Sequence, residues 1–301
     1  MTGYGDDVST TPSRPARKVA IAAGAVAALG LTGCSAATQR GFLPEQAPGA
    51  TNHTDMVISL WNNAWIAALL VGVLVWGLLI WCIVVYRKRK GDNQLPVQLR
   101  YHVPLELMYT FVPIVMIGVL FAFTSKSMGE IMDTSAEPDV RIEVYGKRWS
   151  WDFNYTDAQV HETGEQADIT DGHADGIPTL YLPQGELVEF TLKTRDVNHS
   201  FWIPAFLVKL DMISGRTNTL QLVPEKLGDY QGKCAELCGE YHASMLFNVK
   251  VVTPEEFEQK MAELEAAGNT GVLGDEYNAL QGTSAKDTGQ LEGDPSEGDE
   301  G

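Results

Sequence analysis

Cysteine and positive charge are both scarce in this sequence. Its 301 residues include four cysteines, and 22 lysines and arginines stand against 39 aspartates and glutamates, which gives a formal net charge of −17 at pH 7. Binding to nucleic acid depends on positive charge that neutralises phosphates, so this composition argues against a nucleic-acid partner. The sequence also lacks a Cys-x-x-Cys-His motif, so we expect no covalently attached c-type haem.

Charged residues are absent from the longest apolar run, Ala64 to Tyr86. This run is long enough to cross the hydrocarbon core of a bilayer, and a second, shorter run extends from Leu107 to Thr124. Basic residues fill the positions from Arg87 to Lys90 between the runs, and such charge favours the cytoplasmic side. The pattern predicts a transmembrane hairpin of two helices over residues 56–128, with both of its ends on the outer side.

The N-terminal region has the pattern of a cleaved targeting segment. The basic residues Arg14, Arg17 and Lys18 precede a short apolar run from Val19 to Gly33. This length and these flanks are typical of a signal peptide. The run ends in Leu-Thr-Gly-Cys, which resembles the bacterial lipobox, so we expect a lipoprotein signal peptide at 1–33 and a lipid on Cys34. The alternative is an unmodified cysteine. After cleavage of the signal peptide, residues 34–55 would form an extracytoplasmic segment of a protein of the bacterial cell membrane.

The second half of the sequence changes to a strand pattern. Short alternating strands separated by glycine and proline are typical of an all-β sandwich or barrel. The stretch Thr156 to Ile177 breaks the alternation, and we expect its two histidines, His161 and His173, in a surface loop. The alternating stretches are Val140 to Tyr145, Leu187 to Lys193, Thr217 to Val223 and Phe247 to Val252.

A helix is predicted to close this domain, which we place at residues 129–267. Thr253 is a suitable N-cap, followed by Pro254 at the first helical position and Glu256 at the third, and the helix should end near Ala267. The tail, residues 268–301, is rich in glycine, serine and acidic residues and has few large apolar groups. Such a segment cannot bury enough surface to fold alone, so we expect it to be disordered or docked on a partner.

A cluster of metal-binding residue types lies near the C-terminus. Cys234, Cys238, His242 and Met245 fall within twelve residues, and His199 lies upstream. Soft sulfur combined with imidazole favours copper. A disulfide between the cysteines would leave the histidines and the methionine unexplained. A zinc site of two cysteines and two histidines would leave Met245 unused.

The spacing Cys-x-Glu-x-Cys-x-x-x-His-x-x-Met resembles the copper A motif of the cytochrome c oxidase subunit II family, of the bacterial aa3 type. The resemblance implies a cupredoxin-like Greek key sandwich that carries a dinuclear copper centre. It further implies that Cys234 and Cys238 bridge two copper ions, that His199 and His242 each bind one, and that Met245 is a weak ligand.

The same resemblance assigns roles to three more residues. The backbone carbonyl of Glu236 would be a weak copper ligand, and its carboxylate would bind a magnesium or manganese ion shared with subunit I. Trp149, in a stretch similar to the family's Gly-x-x-Trp-x-Trp, would receive electrons from cytochrome c. Glu106, in a stretch similar to Glu-x-x-Trp-Thr-x-x-Pro, would lie at the entrance of a proton pathway in subunit I.

The implied function is electron transfer within a respiratory oxidase that pumps protons. The partners would be subunit I, with haem a, haem a3 and copper B, and subunit III. The donor would be a c-type cytochrome that is soluble, membrane-anchored or fixed in a supercomplex with a bc complex. A membrane-anchored copper chaperone for oxidase assembly is the alternative function. Quinol oxidases lack the copper ligands, and a nitrous oxide reductase would need a second, histidine-rich copper domain.

Overall fold

The computed structural model describes residues 35–88, 91, 98–167 and 176–278. The predicted lipidation site, Cys34, lies outside these ranges, as do His173, part of the basic loop between the two apolar runs, and residues 279–301. A short helix, α1 (Ala36–Gln39), opens the described chain.

Two long apolar helices follow, α2 (Thr54–Val85) and α3 (Val103–Ile131). Both are long and apolar enough to cross a membrane, and their most apolar stretches have no buried residue. The first part of α2 and the last part of α3 line one groove, so the helices run antiparallel. The predicted hairpin is therefore confirmed. At about 1.5 Å per residue, the 32 residues of α2 span about 48 Å, more than the roughly 30 Å of a bilayer core.

Two five-stranded sheets form the second part of the protein, as the alternating pattern predicts. One sheet has the strand order β3-β2-β1-β5-β8 and the other β4-β10-β9-β6-β7. Neighbouring strands are antiparallel except for the parallel pairs β1–β5 and β4–β10. The strands are β1 (Val140–Lys147), β2 (Ser150–Tyr155), β3 (Val160–Thr163), β4 (Thr179–Pro183), β5 (Val188–Thr194), β6 (His199–Ile203), β7 (Val208–Met212), β8 (Asn218–Leu222), β9 (Gly228–Cys234) and β10 (Leu246–Val252).

The core between the sheets is built around an aromatic cluster. Trp151 and Phe153 of β2 are fully buried, and both contact Phe247 of β10 edge to face. Phe201 of β6 stacks on the same Phe247 ring, with 5.2 Å between ring centroids. Gly232 makes room for this ring, because a Cβ at that position would lie 2.0 Å from Phe247 Cζ. The core therefore extends to β6, the strand that begins at His199.

Helix α4 (Pro254–Ala266) closes the sandwich as predicted. The Thr253 hydroxyl accepts the amide hydrogen of Glu256, and the Glu256 carboxylate accepts that of Thr253. This reciprocal pair satisfies two backbone donors that a helix start leaves free. The helix buries Phe257, Met261 and Leu264.

The structure differs from the sequence prediction at residues 269–278, which we call the C-terminal strap. This segment pairs with the edge strand β3, where Gly271 N–H donates to the Gln159 carbonyl and His161 N–H to the Asn269 carbonyl. Asn154 of β2 exchanges two hydrogen bonds with the backbone of Leu273. These residues thus pack on the sandwich instead of belonging to the tail predicted above. Strand β3 itself lies where the sequence predicted an irregular loop.

The N-terminal end of α2 is joined to the sandwich. Asn52 N–H donates to the Val223 carbonyl, and Val223 N–H donates to the Asn52 side chain. Glu225 N–H donates to the carbonyl of Ala50, which is fully buried. Because Asn52 lies two residues before the first residue of α2, these bonds hold the sandwich at the N-terminal end of that helix.

Candidate metal centre

Strand pairing brings the first two candidate ligands together. His199 begins β6 and Cys234 ends β9, and the two strands pair with Phe201 opposite Cys234. The Cys234 Sγ atom lies 3.8 Å from His199 Nδ1. Gly146 of β1 lies against the imidazole, because a Cβ on Gly146 would fall 2.9 Å from His199 Cδ2.

The loop between β9 and β10 supplies the other donors. Cys238 Sγ lies 3.9 Å from Cys234 Sγ, 3.6 Å from His242 Nδ1 and 3.7 Å from Met245 Sδ. The carbonyl oxygen of Glu236 lies 3.2 Å from Cys234 Sγ. The structure therefore gathers all the predicted copper ligands in one place.

The donor set fits a soft metal ion. Both cysteines are free thiols, so the alternative of a disulfide does not hold. Cys234, Cys238, His199 and Met245 are all buried. The ligand atoms of His199, Cys234 and Cys238 lie within 4.8 Å of one another. Two sulfurs and an imidazole at this spacing, with a thioether in contact, are consistent with copper.

The two thiols differ in acidity. Burial raises the pKa of the Cys234 thiol, but the hydrogen bond with the His199 imidazole and the interactions with the backbone of Glu236 and Ser200 together outweigh burial, so this pKa is lowered. Burial and the neighbouring Cys234 sulfur raise the pKa of the Cys238 thiol to about 12. Metal binding requires both as thiolates, so a bound cation has to displace the Cys238 proton.

Asp196 is a functional residue that the sequence prediction missed. Its Oδ1 atom lies 2.8 Å from His199 Nε2, which leaves Nδ1 to face the sulfurs. Burial raises the pKa of the Asp196 carboxyl, but hydrogen bonds from His199 and from the backbone amides of Arg148 and Val197 outweigh it and lower the pKa to about 2. A carboxylate on the far ring nitrogen fixes the tautomer of a metal-binding histidine.

Trp149 lies beside the ligand loop. It occupies the turn between β1 and β2, and its ring meets that of Tyr241 edge to face with 4.9 Å between centroids. Gly239 has φ +132°, which side chains rarely adopt, and a Cβ there would lie 3.0 Å from Trp149 Cζ2, so glycine favours this approach. Trp149 is thus in contact with the loop that carries Cys238 and His242.

The two predicted carboxylates occupy different places. The Glu236 side chain is exposed, next to the buried thiols. Glu106 lies in the first turn of α3, where its carboxylate accepts the amide hydrogen of His102. The other end of this 29-residue helix, Ile131, packs against the sandwich. At about 1.5 Å per residue, Glu106 is about 40 Å from that end, so the structure does not bring it to the metal cluster.

Comparisons with known proteins agree with this geometry. The family described as cytochrome c oxidase subunit II, periplasmic domain, matches residues 140–252. A probable cytochrome c oxidase subunit 2 from Streptomyces avermitilis is 40% identical over 91% of this chain and 94% of its own. Cytochrome c oxidase subunit 2 from Mycobacterium bovis is 34% identical over 82% of each chain.

Among solved structures, the periplasmic domain of subunit II of the Bradyrhizobium japonicum cytochrome oxidase is 29% identical. It covers 44% of this chain and 97% of its own, with a TM-score of 0.39. The family assignment depends on the relatives from Streptomyces and Mycobacterium, whose identity extends through both the helices and the sandwich. This chain belongs to the cytochrome c oxidase subunit II family and is a subunit of that oxidase.

Proposed function

We propose that this chain holds a dinuclear copper A centre and uses it to carry electrons from a c-type cytochrome to haem in subunit I. The observation that supports this most directly is the row formed by His199 Nδ1, Cys234 Sγ, Cys238 Sγ and His242 Nδ1. Successive atoms in this row are 3.8, 3.9 and 3.6 Å apart. The two sulfurs lie in the middle, and each has its own histidine.

This arrangement favours two metal positions over one. A single tetrahedral zinc ion would need all four donors around a common point. The set of mutually close donors contains His199, Cys234 and Cys238, whereas His242 lies outside it. Two thiolates shared between two ions, with one histidine for each, account for this elongated shape. Glu236, through its carbonyl, and Met245 would be the weak ligands, since each contacts one of the two sulfurs.

The chain's contribution is to hold this site rigid. A bound copper pair would supply a one-electron carrier whose charge is spread over both ions. His199 is fixed by Asp196 on one side and by Gly146 on the other, and Met245 is fully buried. A site that cannot rearrange keeps the same ligand geometry in both oxidation states, which favours fast electron exchange.

We also propose functions for the remaining predicted residues. Trp149 would receive the electron from the donor, since its ring touches the ligand loop at Gly239 and Tyr241. The exposed Glu236 carboxylate would bind a magnesium or manganese ion shared with subunit I, because such hard ions take oxygen ligands. Glu106, at the opposite end of α3, would take part in proton uptake on the cytoplasmic side. Subunit III would complete the assembly.

A copper chaperone is the less favoured function. Chaperones with a Cys-x-x-x-Cys pair have a thioredoxin-like fold, which places α-helices among the strands. In the described residues from Val140 to Val252, the connections between strands contain 3-10 turns and loops, and the α-helix comes after β10. A carrier of a single copper ion also does not need the contact of the Glu236 carbonyl with Cys234 Sγ.

Metal content provides the test of the dinuclear site. The sandwich with its strap, residues 132–278, should bind two copper ions per chain and become purple in the mixed-valence state. The matched control is His161→Gln, which removes a histidine outside the cluster and should still bind two. Copper content is measured by elemental analysis together with the visible spectrum. One zinc per chain and no copper would contradict the proposal.

We also propose that Cys34 anchors the N-terminus through a lipid on the outer side of the bacterial membrane. Mature protein should then begin at Cys34 and carry acyl mass, and Cys34→Ala should leave a larger precursor. Both forms should stay in the membrane, because two spans bind far more strongly than acyl chains. Mass spectrometry of the N-terminal peptide decides this, with Cys82→Ala as the control that should not change it. An unmodified N-terminus at another residue would disprove the lipid anchor.

A further inference from the structure

The C-terminal strap is held by one buried arginine. The Arg195 side chain is 5% exposed, and its Nε donates to Asp152 Oδ2 at 2.5 Å. Its two other nitrogens donate to the strap: Nη1 to the Gly274 carbonyl at 2.8 Å and Nη2 to the Leu273 carbonyl at 2.9 Å. A further bond joins Nη1 to Asn278 Oδ1 at 3.3 Å. The strap therefore supplies most of the acceptors of a buried guanidinium.

A second contact of the strap is with Tyr145 of β1. The Tyr145 hydroxyl donates to Asp275 Oδ1 at 2.9 Å. The guanidinium carbon of Arg195 lies 4.0 Å from the centre of the Tyr145 ring, in cation–π contact. Tyr145, Arg195 and the strap thus form one packed unit.

Each of these two residues directly precedes a residue that holds the His199 imidazole. Asp196, next to Arg195, binds His199 Nε2 at 2.8 Å. Gly146, next to Tyr145, lies against the imidazole, with its hypothetical Cβ 3.0 Å from both Cβ and Cγ of His199. The two backbones are themselves joined, because Arg195 N–H donates to the Gly146 carbonyl at 2.9 Å.

We propose that the strap is a clasp for the electron-transfer site: by binding Arg195 and Tyr145 it fixes Asp196 and Gly146, and through them the orientation of the His199 imidazole. The inference rests on the proposed function, since it takes His199 as a metal ligand. Arg195 and Tyr145 are positioning residues, because they act on the ligand through their neighbours. Without the strap, Arg195 would keep Asp152 and exchange its other acceptors for water, which leaves the Asp196 turn less constrained.

A simpler role for the strap is to cover the edge of the sheet at β3. Exposed sheet edges promote aggregation, and proteins often cover them. That role predicts lower stability on removal of the strap, but no change in how His199 binds its metal. The two roles therefore differ in a spectroscopic measurement, the hyperfine coupling between the copper electron and the histidine nitrogens.

Two truncations of the chain in the assembled oxidase separate these roles. A stop after Asn269 removes the strap contacts with Arg195 and Tyr145 but keeps the end of α4, where Gly268 and Asn269 N–H groups donate to Glu265 and Leu264 carbonyls. A stop after Asn278 keeps the whole strap and serves as the matched control. The shorter chain should show an altered coupling for one histidine and bind copper about tenfold more weakly in competition with a chelator, the lower end of the loss that follows a change in the outer-shell partner of a ligand. The chain that stops after Asn278 should match the full chain in both the histidine coupling and the retention of copper.

Point variants keep the test decisive if the shorter chain fails to assemble. Arg195→Lys retains the positive charge but lacks the planar fork that reaches Asp152 and the strap together, so it should change the same coupling to a smaller extent. Asp196→Asn provides the reference for a direct loss of the His199 partner. Met261→Ala, a core truncation in α4 with no contact to His199, controls for a general loss of stability.

Lower thermal stability with unchanged histidine couplings in both the shorter chain and Arg195→Lys would overturn the clasp. A full-length protein without any copper–histidine coupling would instead refute the proposed function. The two failures are therefore distinguishable in the same set of spectra.

Discussion

Replacing Cys238 with serine should abolish the dinuclear copper centre. Cys238 Sγ contacts three other donors of the cluster, Cys234 Sγ, His242 Nδ1 and Met245 Sδ, at 3.9, 3.6 and 3.7 Å. A serine hydroxyl is a hard ligand that does not replace a soft bridging thiolate. We expect copper to fall from two ions per chain to one or none, the purple mixed-valence spectrum to vanish, and oxidation of the c-type donor to stop. Elemental analysis and electron paramagnetic resonance of the purified oxidase measure the first two.

The matched control is Met245→Leu in the same loop. Leucine has nearly the same volume as methionine, so the fully buried site should stay packed. Because the thioether is the weaker ligand, this variant should keep both copper ions and change the spectrum. Two copper ions with an unchanged spectrum in Cys238→Ser would show that Cys238 is not a bridge. Loss of both ions in Met245→Leu would show that the thioether is more than a weak ligand.

The ligands of the site could be read from the sequence because they are close together along the chain. Cys234, Cys238, His242 and Met245 share one loop, so their spacing alone restricts the metal. His199 lies 35 residues before Cys234 in the sequence, and its contact with the Cys234 sulfur comes from the pairing of β6 with β9, which no local pattern reveals. Contacts between residues on paired strands that are distant in the sequence are seen only in the structure.

Asp196 and the strap show what a local pattern cannot reveal. An aspartate three residues before a histidine is too common to indicate a metal site until the Asp196–His199 bond is seen. By composition the strap belongs to the acidic, glycine-rich tail, for which the sequence predicts disorder or docking on a partner. Its contacts depend on Arg195, a residue type that is almost never fully buried without a partner. The burial of Arg195, and therefore the packing of the strap on it, depends on tertiary structure.

The structure also differs from the sequence prediction at the limits of the helices and at the edge strand β3. The hairpin predicted over residues 56–128 runs from Thr54 to Ile131 in the structure, and the polar residues before Ala64 belong to α2, whose N-terminal end is joined to the sandwich. Strand β3 has four residues, too few for a clear alternation, and forms by pairing with β2. By contrast, the capping box at Thr253 is local in sequence, and the start of α4 was predicted correctly.

Replacing Trp149 should slow the oxidation of the c-type donor while copper A stays intact. The ring is only partly buried and lies outside the copper ligands, but it touches the ligand loop at Gly239 and Tyr241. For Trp149→Ala we expect a donor oxidation rate lower by about two orders of magnitude, equivalent to about 2.7 kcal/mol of activation free energy. Rapid-mixing or flash kinetics of the oxidase with its reduced donor measure the rate, and the copper A spectrum reports on the site.

Separate measurements of donor oxidation and of onward electron transfer make this prediction specific to Trp149. Trp149→Phe keeps an aromatic ring against Gly239 and should lose less rate than alanine, whereas a role in folding alone would lower the copper content of the alanine variant. Electron transfer from copper A onward, started by direct photoreduction of the site, should proceed at the wild-type rate in both variants, because Trp149 would act before that step. Undiminished donor oxidation by a Trp149→Ala oxidase with full copper content would rule out this residue as the point where electrons enter. A slow onward step would place the defect in the metal site itself, since Trp149 would then be supporting the loop that carries Cys238 and His242.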